Sequence, residues 1–434
     1  MTVTYNPADA KYFDEFDFRQ ELTRVYDLCH GCRLCLQLCP SFPTLFDHID
    51  SHDGNVEALT RTEQDQVVDE CYQCKLCYVK CPYVPPHEWQ LDFPRLMLRA
   101  KTIRKREGGA SLPERLSDEV MGRTDLIGAA SVVLSPVANK MIDVANKASR
   151  KGMEATLGIA SQRVLPPYAR MRFSTWFKRR ERPFVRNRRA SVALFATCNV
   201  EYMAPEIGKA TVAVYEHNGV SCSLPSGAKC CGAPWLHAGE VDKFKEAAAH
   251  NVKVLAAEVR AGRQVVVPQP TCAYVIKRDY PLYLGTQAAE EVAAATFDTS
   301  EYLFNLYRAD KAAFSTDFPG EVPSEIVYHA PCHLQAQNVG LKSRDLMKLT
   351  GAKVSVVAKC SGIDGTWGYR AKNYQLAKTV AGGLAKALGK NPDAHLAGDC
   401  HLANTAITEE TSRPVDHPMV TMARAYGLEI SSPG

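Results

Sequence analysis

The stretch that decides the architecture is "CHGCRLCLQLCP", Cys29 to Pro40, which sets four cysteines at spacings of three, three and four and closes on a proline. "CYQCKLCYVKCP", Cys71 to Pro82, repeats those spacings. Around these runs lie 434 residues, 46% hydrophobic and 23% charged, enough for several domains with buried cores. A net charge of +4 is too small to argue for a nucleic-acid partner. The opening "MTVTYNPADAKYFDEFDFRQ" has neither a basic nor an apolar leader, and the apolar-leaning stretch Leu126 to Asn139 contains Pro136 and is too short to span a bilayer. The expectation is a cytoplasmic chain, at most peripheral on the inner face of the cell membrane. Sixteen cysteines without an export signal then argue for metal ligation rather than a disulfide framework.

Both runs read C-x2-C-x2-C-x3-C-P, the spacing by which bacterial-type ferredoxins hold two [4Fe-4S] clusters. Three closely spaced thiolates wrap one cluster, and the fourth, ahead of its proline, crosses to the other. This assigns Cys29, Cys32, Cys35 and Cys81 to one cluster, and Cys71, Cys74, Cys77 and Cys39 to the second. Zinc also uses C-x2-C pairs, but has no need of a third cysteine at the same spacing or of a crossed fourth. The insert between the runs ends in "ALTRTEQDQVVDECYQC", which reads as a helix entering the second run, so the domain resembles the helical ferredoxin domains of succinate dehydrogenase iron-sulfur subunits.

The later cysteines form two sets. Cys198, Cys230, Cys231 and Cys272 make the first; Cys332, Cys360 and Cys400 make the second, each matching its counterpart about 130 residues on, as a duplicated unit requires. In each unit an apolar β-branched run precedes the first cysteine ("ASVALFATC", "SEIVYHAPC"). Helical stretches such as "VDKFKEAAAHNVKVLAAEVRAG" and "KNYQLAKTVAGGLAKALG" alternate with short strands such as "RQVVVPQ" and "AKVSVVA". That alternation predicts parallel α/β domains with the ligands at strand ends.

The motifs "ATCNVEYMAPEIG", "AKCCGAPW", "VVVPQPTCAYV", "YHAPCHLQAQNVG" and "CSGIDGTWG" make this half similar to the duplicated cysteine-rich CCG domains of heterodisulfide reductases and of iron-sulfur subunits of flavoprotein dehydrogenases. With the ferredoxin runs in front, the layout resembles the C subunit of anaerobic glycerol-3-phosphate dehydrogenases and the glycolate oxidase iron-sulfur subunit. The fold class this implies is multidomain α+β: a helical two-cluster ferredoxin domain over 1–100, a linker over 101–189, and CCG domains over 190–320 and 321–434. Against the family pattern, Gln269, Ser361 and Ala397 stand where further cysteines occur. The first set still offers four thiolates, which suit a third [4Fe-4S] cluster. The three of the second leave open a fourth ligand from His329, His333, His401 or Ser361, an open iron, zinc, or cysteines that merely pack.

Within the linker, Leu126, Ala130, Val133, Val137, Met141 and Val144 fall at helical spacing, flanked by Lys140, Lys147, Arg150 and Lys151. Such a stripe packs on the chain's own domains, docks on a partner or lies on a membrane. "WFKRRERPFVRNRR", Trp176 to Arg189, holds seven basic residues against one acidic, a solvated linker or a contact for anionic headgroups. No dinucleotide fingerprint, P-loop or nucleophile elbow is present: "VAGGLAKALG" falls within a helical pattern. Such a chain moves single electrons and leaves substrate oxidation to another subunit.

The resemblance implies a flavoprotein dehydrogenase, for glycerol 3-phosphate or a 2-hydroxy acid, as donor and quinone or another molecule as acceptor. Two alternatives are a reductase of a disulfide or peroxidase partner, of heterodisulfide reductase or rubrerythrin type, and a cluster-bearing sensor.

Overall fold

The computed structural model describes residues 5–109, 111–181 and 189–430. The basic run is therefore described only at its edges, and Arg182 to Arg188 lie outside the described residues. Among the described residues no strand precedes Ala190. The N-terminal part is helical. Thr60 and Glu63 form a capping box that starts the helix Arg61–Glu70, and this helix delivers the chain into the second cysteine run, as the sequence predicts. It packs with Glu15–Cys32, Ser41–Ser51 and Phe93–Arg106 around Leu22, Val25, Leu45, Ile49 and Leu96, all fully buried. Each such side chain contributes roughly 1.5–3 kcal/mol.

Two four-stranded sheets follow. In the first, β1 (Ala190–Leu194), β2 (Val220–Ser223), β3 (Gln264–Val267) and β4 (Thr296–Asp298) lie in the order β2-β1-β3-β4. In the second, β5 (Glu325–His329), β6 (Lys353–Val357), β7 (His395–Gly398) and β8 (Val415–Asp416) lie in the order β6-β5-β7-β8. Every pairing is parallel, so the two halves share one topology. The predicted strands and the helices Val241–Arg260 and Tyr374–Leu388 are all present, and Gly382 and Gly383 fall inside the latter helix. The helix Pro205–His217 of the first half packs against Pro418–Ala425 of the second. A single core of Val192, Ile207, Tyr328, Met419 and Met422 runs through both halves.

The segment between the helical part and the sheets straps the molecule together. A Cβ on Gly122 would come 2.5 Å from Trp235, and one on Gly128 equally close to Tyr202, so the helices Leu112–Gly122 and Thr124–Val133 press their backbones onto the first half. Buried Arg163 pairs with Glu409 at 3.0 Å and donates to the Gly368 carbonyl, tying the segment to the second half. The predicted apolar stripe is split. Its helix ends at Val133 and a second, Ser135–Ile142, leaves at 113°. Pro136, second residue of that helix, cannot donate its nitrogen to a continuing first helix. Leu126 (62% exposed), Val133 (75%), Val137 (58%) and Met141 (51%) face outward rather than onto the chain's own domains. No single helix among the described residues is long and apolar enough to cross a membrane; the bent pair passes that test of length and composition only when joined.

Candidate metal centres

The two N-terminal runs repeat in sequence but not wholly in backbone. Cys29 and Cys32 sit on the last turns of Glu15–Cys32, whereas Cys71 caps the end of its helix and the chain to Lys75 is loop. Both runs make the same left-handed turn at the same place, Arg33 at φ 51° and Lys75 at φ 64°. The sulfurs of the two runs lie close enough to act on one another. Burial pushes up the thiols of Cys29 and Cys35, the latter to about 11, and Cys81 adds to both. Cys39 meets Cys71, Cys74 and Cys77, whose thiols burial also raises. Cys32 is exposed while Cys71, Cys74 and Cys77 are buried, so the first set lies nearer solvent. Sulfur-only groups of this kind suit iron-sulfur clusters or zinc, which hold thiols as thiolates against the burial that favours their protonation.

In the first half, Cys198, Cys230 and Cys272 follow β1, β2 and β3. The strand order reverses between β1 and β3, and their carboxyl ends make the crevice where open α/β sheets place sites. Cys198 follows Thr197, a buried β-branched residue at φ 60°, a strained backbone that aims the next side chain. Gly232 takes φ 85°, and a Cβ there would meet Phe244 at 3.0 Å, which is why glycine closes the Cys-Cys-Gly turn. The sulfurs of Cys231 and Cys272 lie 3.1 Å apart, and Cys198 and Cys230 interact in the same group. A polar shell that the sequence did not single out fixes the turn: Asp125 accepts from the Cys230 amide at 2.8 Å, Asn251 donates to the Cys230 carbonyl at 2.9 Å, and Tyr280 to that of Cys231 at 2.9 Å. Cys222 stands outside every set, half-buried on β2.

The second half keeps the frame with fewer sulfurs. Gly362 takes φ 68° as Gly232 does, and a Cβ there would strike the Ala377 carbonyl, so Ser361 occupies the place of Cys231 on the same turn. Ala397 is on β7 with its side chain in the shared core. Cys332, Cys360 and Cys400 line one small cavity with His333, Ser361 and Asp364. Cys332, His333 and Asp364 offer ligand atoms all within 4.8 Å of one another; His333 Nδ1 is 3.7 Å from Cys332 Sγ and 3.6 Å from Asp364 Oδ1. Of the four non-cysteine candidates, His333, Ser361 and His329 border the cysteine cavity, His329 with its Nε2 at the Lys359 carbonyl, 3.0 Å away, while the His401 amide donates to Gln269. Burial drives His333 down to about 3 and raises Asp364 to about 7. Asp364 was missed from sequence; its signal is the acid four residues after Cys360 in "CSGIDGTWG".

The sets abut. The helix Leu76–Lys80 packs against Cys332–Ala336, and Cys39, Cys74, Cys332 and Cys360 share one apolar cluster with Tyr72 and Trp367. Gln269, in the first half, donates its Nε2 to Cys400 Sγ at 3.1 Å and accepts from the His401 amide at 3.2 Å. His237 and His333 stack at 6.0 Å between the two halves.

The Fer4-like domain family of citrate utilization protein B matches residues 22–108, and the cysteine-rich (CCG) domain family matches residues 192–277 and again 326–403. The chain thus carries a Fer4-like domain followed by two copies of the cysteine-rich (CCG) domain. The chain is 27% identical to the C subunit of anaerobic glycerol-3-phosphate dehydrogenase of Escherichia coli (strain K12) over 316 residues, 71% of this chain and 77% of the relative. It is 28% identical to lactate utilization protein A of Exiguobacterium sp. (strain ATCC BAA-1283 / AT1b) over 188 residues, 41% of this chain and 73% of the relative. Lactate utilization protein A of Geobacillus thermodenitrificans (strain NG80-2) matches at 28% over 187 residues, with the same shares.

Proposed function

We propose that this chain is the iron-sulfur subunit that takes electrons from a flavoprotein dehydrogenase of the glycerol-3-phosphate or 2-hydroxy-acid type and hands them to quinone or another acceptor. The observation that carries the reading is the contact of the cysteine sets in series: the Cys29 set near solvent, the Cys71 set against Cys332 and Cys360, and Gln269 joining Cys400 to the first half. In this reading two [4Fe-4S] clusters occupy the ferredoxin-like domain, a third sits on Cys198, Cys230, Cys231 and Cys272, and Cys332, Cys360 and Cys400 hold a further cluster or zinc with His333 or Asp364 completing the site. Cluster ligation, burial and hydrogen bonds to sulfur set the potentials.

Electrons enter at the Cys29 set, where Leu34, Leu36 and Val79, neighbours of the cysteines in the chain, are exposed and offer an apolar landing for the flavoprotein. The outward-facing pair of helices, with exposed Lys140, Lys147 and Lys151 beside it, rests on an anionic membrane surface. The linker over 101–189 is in this reading the membrane-facing strap between the ferredoxin domain and the two CCG domains.

The test is iron, sulfide and zinc per chain on protein purified without oxygen, with dye reduction by the assembled dehydrogenase. About 12 iron atoms or more and a dye rate lost in Cys74→Ser support the reading, at four irons per cluster; about 8 would confine clusters to the N-terminal domain and overturn the role given to the CCG domains.

A further inference from the structure

The cysteine crevice of the first half opens into a cavity of about 210 Å³ that continues beyond the sulfurs under the outward-facing helix pair. Val120, Met121, Ile127, Ile142, Ile159 and Leu165 form its linker wall. Opposite them stand Cys198, Cys230, Cys231 and Cys272. A cluster needs only the sulfur end; the linker end is an apolar chamber larger than that cradle requires.

Polar side chains interrupt the apolar lining, Thr124, Asn199, Gln269, Thr271, His237 and Tyr369 among them. His237 and Tyr369 both border the cavity, and the buried His237 Nε2 and Tyr369 Oη have no hydrogen-bond partner in the protein. Buried polar atoms without partners are rare, and a ligand that supplies the missing bonds accounts for them. The helices roofing the chamber present Ile127 and Ile142 inward while Leu126, Val133 and Val137 are exposed outside. One thin layer of helix therefore separates the cysteines from the surface that meets the membrane in the proposed function.

The geometry points to this chamber as the binding site for a lipid-soluble quinone, an inference that rests on the electron-transfer reading and supplies it with an exit. A flat ring with two carbonyl oxygens and an apolar tail matches an apolar slot with separated hydrogen-bonding groups at its walls. The ring enters from the bilayer past the bent helix pair. It takes two electrons, one at a time, from the centre on the four cysteines, itself refilled by the reduced flavoprotein, and two protons from water, and leaves as the quinol. Tyr369 and His237 hold its oxygens by hydrogen bonds.

A photoreactive azido-naphthoquinone, applied in detergent to the anaerobically purified holo-chain, tests the site. We expect label on residues 120–127 and 142–168, competed by excess short-chain menaquinone. Ile127→Trp and Leu165→Trp, which fill the chamber, are expected to weaken naphthoquinone binding at least tenfold with iron per chain and the low-temperature EPR spectrum retained as the measure of folding; Tyr369→Phe weakens it several-fold. Label confined to segments that do not line the chamber, or unchanged affinity in both filled variants with full iron, overturns the site. Failure of the underlying reading looks different: the flavoprotein with this chain then reduces no dye even without quinone, whatever the labelling pattern.

Discussion

Lys101 offers the sharpest test of how this protein sets a potential. Its ammonium donates to the Cys71 carbonyl at 2.7 Å and is among the charges that act on the Cys71 sulfur. It borders a polar cavity of about 250 Å³ between the N-terminal helices and the second half. Reduction adds one negative charge to a cluster on the Cys71 set. Taking roughly 6 Å from the ammonium to that charge and an effective dielectric of about 20, Coulomb's law gives about 3 kcal/mol in favour of the reduced state. At about 1.4 kcal/mol and 59 mV per tenfold for one electron, that is an upper bound of about 120 mV, which solvent in the cavity lowers toward about 60 mV. Lys101→Met is therefore expected to shift the second cluster's midpoint down by about 60–120 mV in an EPR-monitored redox titration, while Lys348→Met, on an exposed side chain, leaves it in place. The pH profile carries the same sign. Burial pushes Lys101 below its usual 10.5, so the wild-type midpoint falls as pH rises through the Lys101 pKa and that step vanishes in the variant. A shift below about 20 mV with an intact signal would refute the electrostatic account.

Three further outcomes follow from the contacts. Cys81→Ser should remove about four irons and abolish the signal of the Cys29 cluster while sparing that of Cys71, Cys74 and Cys77, although Cys81 is nearer those three in sequence; iron analysis with EPR shows which cluster goes. Burial holds His329 and His401 at about 4 and His417 at about 3, below the roughly 6.5 of an unfolded histidine; the unfolded chain thus binds more protons, and stability is whole above about pH 6.5 and falls by about 1.4 kcal/mol per pH unit per histidine below it. Urea midpoints from pH 7.5 to 5 read this, and a flat profile would count against it. Arg163→Met leaves Glu409 buried without its nearest cation and should cost about 3–5 kcal/mol, recovered in part by Glu409→Gln on the same chain, as thermal unfolding of the single and double variants would show.

The cysteine runs and the strand-helix alternation were legible because they are local. Spacing along the chain fixes which sulfurs share a loop, and a β-branched run such as "SVALF" carries its own strand signal. What spacing could not carry is contact across distance. Gln269 reads from sequence as a cysteine lost from its pair, yet it spans to Cys400 and His401. Asp364 lies in a glycine-rich turn with no periodicity to mark it, and only the fold brings it to Cys332 and His333. The linker stripe was legible as apolar but not as outward-facing. Periodicity counts the residues on a face and is silent on whether that face meets protein or solvent, and here Gly122 and Gly128 on the other side of the helices take up the packing.

The duplication explains the frame and also why the halves diverged. Two copies with the order β2-β1-β3-β4 and β6-β5-β7-β8 would present equivalent crevices, but the second cysteine run lies against the second, setting Cys74 and Trp367 beside Cys332 and Cys360, while the N-terminal helices reach the first through Leu98. The linker roofs the first, placing Ile127, Ile142 and Tyr168 over Cys198 and Cys272. A crevice pressed against a buried cluster needs no open apolar chamber; its cavity is about 20 Å³, against about 210 Å³ in the first half. It can exchange sulfur for Ser361 and Ala397 as long as Asp364 and His333 stand close. The first crevice keeps all four sulfurs and the space beside them. Division of labour between the copies thus follows from which neighbour each acquired: the same αL glycine turn at Gly232 and Gly362 borders an open apolar chamber in the first half and a closed, buried crevice in the second.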